Sequence, residues 1–256
     1  MILALDVGNT DVVVGCIEDG QISHVFRIST NTAKTAEEYA IQICTILSFR
    51  GIERSKIDGA IISSVVPPLT GVFGDAVVKI SGVNPVIIGP GVKTGLNILI
   101  DDPPTLGSDI VGSAVAALAK YTPPIIIVDL GTATKMFVLN RNGDFIGGAI
   151  LPGVALSINA LSAGTSQLPR VPIEAPDKCI STNTIDCMKS GAIFGSASEI
   201  DGMAARFEAE LGQQAQIVAT GGLAGAIYRH CKRDVVYDPN LVLHGLRIIF
   251  EKNRRK

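Results

Sequence analysis

Short runs of apolar residues that end in an aspartate are the clearest pattern along this chain. Residues 125–128 are all isoleucine or valine and lead into Asp-Leu-Gly-Thr at 129–132. Residues 2–5 lead in the same way into Asp-Val-Gly-Asn-Thr at 6–10. A short apolar run bounded by turn residues is typical of a strand buried on both faces. The pattern therefore predicts two buried strands, each with an aspartate at its carboxyl end.

An aspartate followed by glycine and threonine places a carboxylate, a bare backbone turn and hydroxyl groups together. Backbone N–H groups can approach a phosphate where no side chain intervenes, and the carboxylate can hold the counter-cation. Taken alone, the motif is equally typical of a plain junction between a strand and a turn. Its occurrence at both Asp6 and Asp129, 123 positions apart, favours binding of nucleotide phosphates.

The segments that follow the two motifs also resemble each other. Each motif is followed by a second apolar strand (12–16 and 136–139) and then by a polar turn with glycine (18–20 and 141–144). A spacing this long does not fit a solenoid repeat. We therefore predict two similar halves, each offering one phosphate loop to a shared cleft.

The remaining periodicity alternates strands with helices. Apolar runs predict strands at 57–66, 85–88, 145–150 and 217–220, and residues 96–102 are expected to be extended. Amphipathic or small-residue patterns, with their capping residues, predict helices at 37–50, 70–81, 111–121, 154–162, 185–211 and 241–251. This order is typical of a doubly wound α/β fold.

Composition and charge narrow the classes of function. A formal net charge of −2 gives no electrostatic footprint for nucleic acid. No apolar run approaches the roughly 20 residues that span a bilayer, and Met1 leads directly into a core strand, so neither an anchor nor a signal peptide is expected. The five cysteines have no C-x-x-C spacing and predict neither disulfides nor a zinc site. We expect a cytoplasmic protein, with the basic cluster at 252–256 as a solvated helix end.

Two further features each have two interpretations. Asp109 precedes the alanine-rich helix predicted at 111–121, where an acid is usual as an N-cap or first-turn residue. It is also a carboxylate on a segment between the two halves, where a general base for a substrate hydroxyl is needed. Gly221 and Gly222 follow the strand predicted at 217–220. They permit flat contact with an adenosine group, and they are equally common in a tight turn.

Together, the motifs resemble those of the type III pantothenate kinases, a family of the actin/hexokinase/acetate-kinase superfamily. The resemblance covers essentially the whole chain in the order of the family motifs. The segments that carry it are DVGNT at 6–10, SSVVP at 63–67, GSD at 107–109, DLGTAT at 129–134, 147–153 and ATGG at 219–222. It implies an α/β fold of two duplicated ribonuclease H-like (actin-like) domains with a cleft between them. Residues 1–119 would hold the first phosphate loop and the substrate loop, and 120–256 the second phosphate loop and the adenosine-binding glycines.

The resemblance also implies a reaction and its participants. ATP would phosphorylate pantothenate to 4′-phosphopantothenate, the first step of coenzyme A biosynthesis, in a homodimeric enzyme. Mg²⁺ would act with ATP, with Asp6 as one contact through the phosphates, and Asp129 would hold a monovalent cation, K⁺ or NH₄⁺. Asp109 would be the catalytic base.

The binding residues that the resemblance implies fall into two groups. The ATP-binding residues would be Asp6, Val7, Gly8, Asn9, Thr10, Asp11, Val12, Val13, Thr132, Gly221 and Gly222. The substrate-binding residues would be Ile100, Gly107, Ser108, Asp109, Ile110 and Thr184.

The sequence departs from the family pattern on the pantothenate side. Ile110 stands where the family usually has arginine, Ile100 where it has an aromatic residue, and Ser113 where asparagine is common. Arginine suits bidentate recognition of a carboxylate such as that of pantothenate. Three interpretations follow: Lys93 or Arg170 replaces the missing cation, the kinase acts on a less anionic hydroxyl compound, or the chain is a non-catalytic nucleotide-binding regulatory protein. Retention of Asp109 and of both phosphate loops argues against the third.

Overall fold

Two sheets of the same topology organise the structure. Within residues 1–254, which the computed structural model describes, ten strands form two five-stranded sheets. Arg255 and Lys256 of the basic cluster lie outside the described residues. The strands are β1 (Ile2–Val7), β2 (Asp11–Glu18), β3 (Gln21–Ser29), β4 (Gly59–Ser64), β5 (Val86–Ile87), β6 (Ile125–Leu130), β7 (Ala133–Leu139), β8 (Phe145–Pro152), β9 (Gln216–Thr220) and β10 (Val235–Tyr237).

The strand order confirms the predicted duplication. The first sheet has the order β3-β2-β1-β4-β5 and the second the order β8-β7-β6-β9-β10. In each sheet, the first three strands along the chain pair as antiparallel hairpins. The fourth strand pairs in parallel with the first, and the fifth pairs in parallel with the fourth. Each half is thus a ribonuclease H-like α/β unit. The cleft expected between the two halves stays a prediction.

The helices agree with the sequence pattern apart from their ends. They are α1 (Ala36–Phe49), α2 (Pro67–Ser81), α3 (Ser108–Lys120), α4 (Val154–Gly164), α5 (Thr184–Ser190), α6 (Ser196–Leu211), α7 (Ala224–Ile227) and α8 (Leu241–Asn253). The single helix predicted at 185–211 is interrupted by a π-helical turn, Gly191–Gly195, between α5 and α6. No helix within residues 1–254 combines the length and apolar character needed to cross a membrane.

One helix was predicted to begin too late, and one strand was not predicted. The helix expected from 111 begins at Ser108, because Gly107 accepts the first helical hydrogen bonds. The stretch 96–102 is extended but forms only an isolated bridge between Ile98 and Phe145. Strand β10 is too short to give a period-2 signal.

Contacts group the chain into two units that differ from the domain bounds expected from the sequence. Of the described residues, the first unit contains 1–95, 102–116 and 241–254, and the second contains 96–101 and 117–240. The C-terminal helix α8 belongs to the first unit because it packs on β1 and β4. A side chain on Gly59 of β4 would meet the Phe250 ring, its Cβ 2.2 Å from Cζ.

Each unit has its own apolar core. In the first, Leu3, Leu5 and Val7 of β1 pack with α1 and α2, where the rings of Tyr39 and Phe73 are 4.3 Å apart. Because side chains alternate along a strand, the intervening residues of β1 face the other side of the sheet. In the second, alternate residues of β6 pack with α4, α6 and α7 in the same way. Asp6 and Asp129 thus lie on the faces opposite these clusters.

Candidate active site

Two sets of hydrogen bonds hold the turn between β1 and β2 in place. One set lies inside the turn, and the other comes from the end of β3. The N–H of Gly8 donates to the carbonyl of Asp11 at 3.0 Å. A Cβ on Gly8 would lie 2.9 Å from that carbonyl oxygen, so the turn favours glycine. From the end of β3, the hydroxyl of Thr30 donates to the carbonyl of Gly8 at 2.7 Å and its N–H to the carbonyl of Thr10 at 2.9 Å. The loop predicted to bind phosphate is therefore an ordered turn at the carboxyl end of β1.

Serine hydroxyls connect the carboxylate of Asp6 to α3. The parallel register pairs Asp6 with Ser63 of β4, and the Ser63 hydroxyl donates to Asp6 Oδ1 at 2.9 Å. The oxygens of Ser63 and Ser108 are 3.0 Å apart. The N–H of Ser64 donates to Ser108 Oγ at 2.9 Å. This buried network places the start of α3 at the edge of the sheet that carries Asp6.

Asp109 lies in the first turn of α3 and is 9% exposed. Its Oδ1 accepts a hydrogen bond from the N–H of Ile110 at 2.8 Å. A Cβ on Gly107 would lie 2.5 Å from the same oxygen, so the carboxylate lies against bare backbone. The first-turn interpretation describes the position of Asp109 correctly, and the catalytic role stays a prediction.

In the second unit, Asp129 is the second-last residue of β6 and pairs across the antiparallel ladder with Lys135 of β7. The Lys135 ammonium lies 2.7 Å from Asp129 Oδ2, and the two side chains are 17% and 19% exposed. Gly221 lies on the other side, with φ of +95° and a Cβ position 2.6 Å from Asp129 Oδ1. Gly221 is therefore required by close packing at the end of β6, whereas a Cβ on Gly222 would meet nothing within 4 Å. This open backbone at Gly222 is compatible with the predicted adenosine contact.

The remaining predicted residues are distributed over both units. Gly107, Ser108 and Ile110 adjoin Asp109 in the first unit. Ile100, Thr132 and Thr184 belong to the second unit, where Thr132 and Thr184 are exposed and Ile100 is half-buried. In the first unit, the structure therefore brings Asp6 together with residues 107–110 at the start of α3. In the second unit, it brings Asp129 together with Gly221.

Three residues at these sites were not predicted. They are Thr30, which holds the first loop; Ser63, which contacts Asp6; and Lys135, which pairs with Asp129. Each had a signal in the sequence, because Ser63 and Lys135 are polar residues within apolar strands and Thr30 lies in a threonine-rich loop. The partner of each residue, however, depends on strand register.

The described residues differ in how well they fit the two predicted metals. Mg²⁺ is usually held by one or two carboxylates together with substrate phosphates, and Asp6 beside an ordered turn fits that pattern. Within residues 1–254, no three His, Cys, Asp or Glu side chains gather into a protein-only metal site. Asp129 already has an ammonium partner, so its carboxylate does not fit a second, free monovalent cation at the same oxygen.

Comparison with known proteins identifies the family. The family model described as type III pantothenate kinase matches residues 2–206. A type III pantothenate kinase of Geobacillus sp. (strain WCH70) is 42% identical over 253 residues, covering 99% of this chain and 98% of the relative. That of Geobacillus kaustophilus (strain HTA426) is 41% identical over 256 residues, covering 100% and 99%.

Solved structures agree on the fold alone. A Campylobacter jejuni protein described as a Baf family transcriptional activator has a TM-score of 0.63 at 20% identity, covering 98% of both chains. The ethanolamine utilization protein EutJ of Carboxydothermus hydrogenoformans has a TM-score of 0.57 at 14% identity, covering 97% of this chain and 89% of that one. Since the family model matches residues 2–206 and the two Geobacillus kinases align over 99% and 100% of the sequence, this chain belongs to the type III pantothenate kinase family.

Proposed function

We propose that this protein transfers the γ-phosphoryl group of ATP to the primary hydroxyl of pantothenate, giving 4′-phosphopantothenate and ADP in the first step of coenzyme A biosynthesis. The observation that carries the proposal is identity of about 40% to kinases of this name over the full chain. The retained Asp109, held against Gly107 at the start of α3, supports it. The names of these relatives lend no support to a different hydroxyl substrate or to a non-catalytic role.

Asp109 would be the general base. As a bond forms between the substrate oxygen and the γ-phosphorus and the bond to the β-phosphate oxygen breaks, the hydroxyl proton passes to the Asp109 carboxylate. Phosphoryl transfer needs positioning and charge stabilisation more than covalent help, so one well-placed carboxylate suffices. The hydrogen bond from the Ile110 N–H to Oδ1 fixes the orientation of the carboxylate.

The phosphate-binding role falls to the two glycine turns. Residues 6–13 would cradle the phosphates from the first unit, and Thr132 with Gly221 and Gly222 would bind ATP from the second. The ordered turn at Gly8 supports this assignment, because its backbone conformation is fixed before a ligand arrives. Mg²⁺, which screens the phosphate charge when bound, would be held through those phosphates near Asp6.

The pantothenate pocket would be formed by the 107–110 loop with Ile100 and Thr184. With isoleucine at position 110, another cation has to meet the substrate carboxylate. Lys93 lies in the first unit, where its backbone is hydrogen-bonded to Asn253 of α8, and Arg170 is exposed in the second unit. Single substitution of each, read out as the KM for pantothenate, distinguishes them.

Family membership also supports a homodimer in the cytoplasm. Large apolar side chains exposed on β8 and α4 are available for self-association: Ile146, Ile150, Leu156 and Leu161. Sedimentation velocity on the purified protein tests the dimer.

A coupled ADP-release assay tests the reaction. Purified protein would be given ATP, Mg²⁺ and KCl, with and without pantothenate, beside an Asp109→Asn variant. We expect ADP release that requires pantothenate and is lost in the variant. Absence of pantothenate-dependent release, with ATP binding intact by calorimetry, would refute the proposed substrate.

A further inference from the structure

The Asp129 site contains a cation supplied by the chain itself. The resemblance implies that Asp129 holds free K⁺ or NH₄⁺, yet the Lys135 ammonium lies 2.7 Å from Asp129 Oδ2. Lys135 is a primary ammonium with the charge of K⁺ and the hydrogen-bonding chemistry of NH₄⁺.

The fold makes this pairing difficult to avoid. Asp129 and Lys135 are directly opposite in the antiparallel ladder, and residues opposite each other project on the same face. Both side chains are more than four-fifths buried, so water screens the pair weakly. The backbone of Gly221 and Gly131 also lies close to Asp129 Oδ1 and restricts the position of the carboxylate. The ammonium is therefore held at the end of the second phosphate loop.

A tethered ammonium and a free monovalent cation compete for this carboxylate. Two positive charges a few ångströms apart repel, and a single carboxylate balances only one of them. A tethered group loses no translational freedom when it takes up the position, whereas a free ion does.

We propose that Lys135 serves as the built-in monovalent cation of the Asp129 site, so that this kinase requires neither K⁺ nor NH₄⁺. The proposal deepens the proposed function, since it assigns the cation beside the second phosphate loop. Lys135 thereby takes the place of the ion that the family resemblance predicts.

The wild-type protein gives the first test. Its kcat and KM for Mg·ATP would be measured in KCl and in tetramethylammonium chloride at equal ionic strength. Tetramethylammonium is too large to replace K⁺ beside a carboxylate that is four-fifths buried. We expect values within twofold in the two salts. A K⁺-dependent activation of tenfold or more would overturn the proposal.

Variants test the role of the ammonium itself. Lys135→Met should lose activity at least tenfold in tetramethylammonium and regain it in a saturable manner with K⁺ or NH₄⁺, while Lys135→Arg should remain independent of K⁺. Lys120→Met is the matched control, because Lys120 also pairs with a buried aspartate, Asp238, in the same unit. It should create no K⁺ dependence. Equal K⁺ responses in the two methionine variants would count against the proposal.

A binding experiment keeps this inference separate from the reaction. The Kd for AMP-PNP, a nonhydrolysable analogue of ATP, would be measured by calorimetry with Mg²⁺ present in both salts. Melting temperatures would be recorded alongside. We expect the wild-type Kd to be the same in both salts, and K⁺ to tighten binding to folded Lys135→Met. If the wild type shows no pantothenate turnover but behaves in this way, the substrate assignment fails and the cation assignment stands. A wild-type Kd that needs K⁺ overturns the cation assignment whether or not pantothenate is turned over.

Discussion

The Ser63 hydroxyl donates a hydrogen bond to Asp6 Oδ1 at 2.9 Å, joining the ends of β4 and β1. An ionised carboxylate can only accept, so Ser63 uses its single proton on Asp6. The Ser108 hydroxyl has two acceptors within reach, the Ser63 oxygen at 3.0 Å and the carbonyl of Ser64 at 3.1 Å. The Ser108 oxygen in turn accepts from the N–H of Ser64. This hydrogen-bond network thus connects the start of α3, next to Asp109, with the carboxylate at the end of β1.

Removal of the Ser63 hydroxyl should disturb nucleotide binding more than folding. We expect Ser63→Ala to weaken binding of Mg·ATP by about tenfold, since a hydrogen bond to a charged group contributes about 1.5–3 kcal/mol. Calorimetry gives the Kd, and the KM for pantothenate should change little. The control is Ser81→Ala, which removes a hydroxyl bonded to backbone on α2. Equal effects of the two substitutions would mean that Ser63 has no special role in orienting Asp6.

Gly107 controls the position of the Asp109 carboxylate. A methyl group at 107 would lie 2.5 Å from Oδ1, so Gly107→Ala has to move that carboxylate. We predict a fall in kcat of about a hundredfold, because a displacement of about 1 Å at a reacting group has effects of that size. Gly89→Ala, where a Cβ meets nothing within 4 Å, is the control. A kcat like that of wild type would show that Asp109 does not act from its observed position.

Close packing of α3 against α8 should be a point of high sensitivity to mutation. A Cβ on Gly245 would lie 1.8 Å from the carbonyl oxygen of Gly112, and backbone cannot yield as a flexible side chain can. We expect Gly245→Ala to lower the free energy of unfolding by about 3 kcal/mol, the upper part of the usual range for overpacking. Urea unfolding measures it. Gly202→Ala on α6, where the added methyl group meets nothing, should leave stability equal or higher.

The sequence predicts the features that depend on neighbouring residues. Apolar runs ending in Asp-x-Gly are local, and they located β1, β6 and the turns that follow these two strands correctly. The repeated hairpin after each loop also predicted the duplication, which the identical strand orders confirm.

What the sequence does not predict depends on contacts between distant segments. Ser63 meets Asp6 across 57 positions, and this contact requires the parallel register of β1 with β4. Lys135 pairs with Asp129 because the second loop spans only residues 131–132, while the first spans 8–10. Helix α8 joins the first unit through Gly245 and Phe250, which gave no pattern distinct from any amphipathic helix.

A bidentate ion pair in the second unit should make the free energy of unfolding depend on pH. Both carboxylate oxygens of Glu208 accept from Arg233, at 2.7 and 2.6 Å, and these bonds hold the pKa of Glu208 below its ordinary value. The pair therefore stabilises the fold at pH values above the ordinary pKa of glutamate. This contribution is lost as the pH falls through the lowered pKa of Glu208.

Unfolding of wild type and Arg233→Met in urea at pH 7 and at pH 3.5 measures this contribution. We expect the variant to be less stable at pH 7 and the difference to shrink at pH 3.5. Lys56→Met, which removes an exposed pair with Glu53, should show no such change. A difference for Arg233→Met that does not vary with pH would mean that Glu208 does not titrate through this pair.

Restoring arginine at position 110 tests how this chain recognises its substrate. Ile110 is partly exposed and directly follows Asp109, where a guanidinium can pair with the carboxylate of pantothenate. If that carboxylate lacks an equivalent partner in wild type, Ile110→Arg should lower the KM for pantothenate by roughly ten- to a hundredfold, corresponding to about 1.5–3 kcal/mol. The KM for ATP should stay constant, and Ile110→Met, of similar length without charge, should have no effect. An unchanged KM for pantothenate in Ile110→Arg would instead mean that another cation already binds the carboxylate, and the Lys93 and Arg170 substitutions would then identify it.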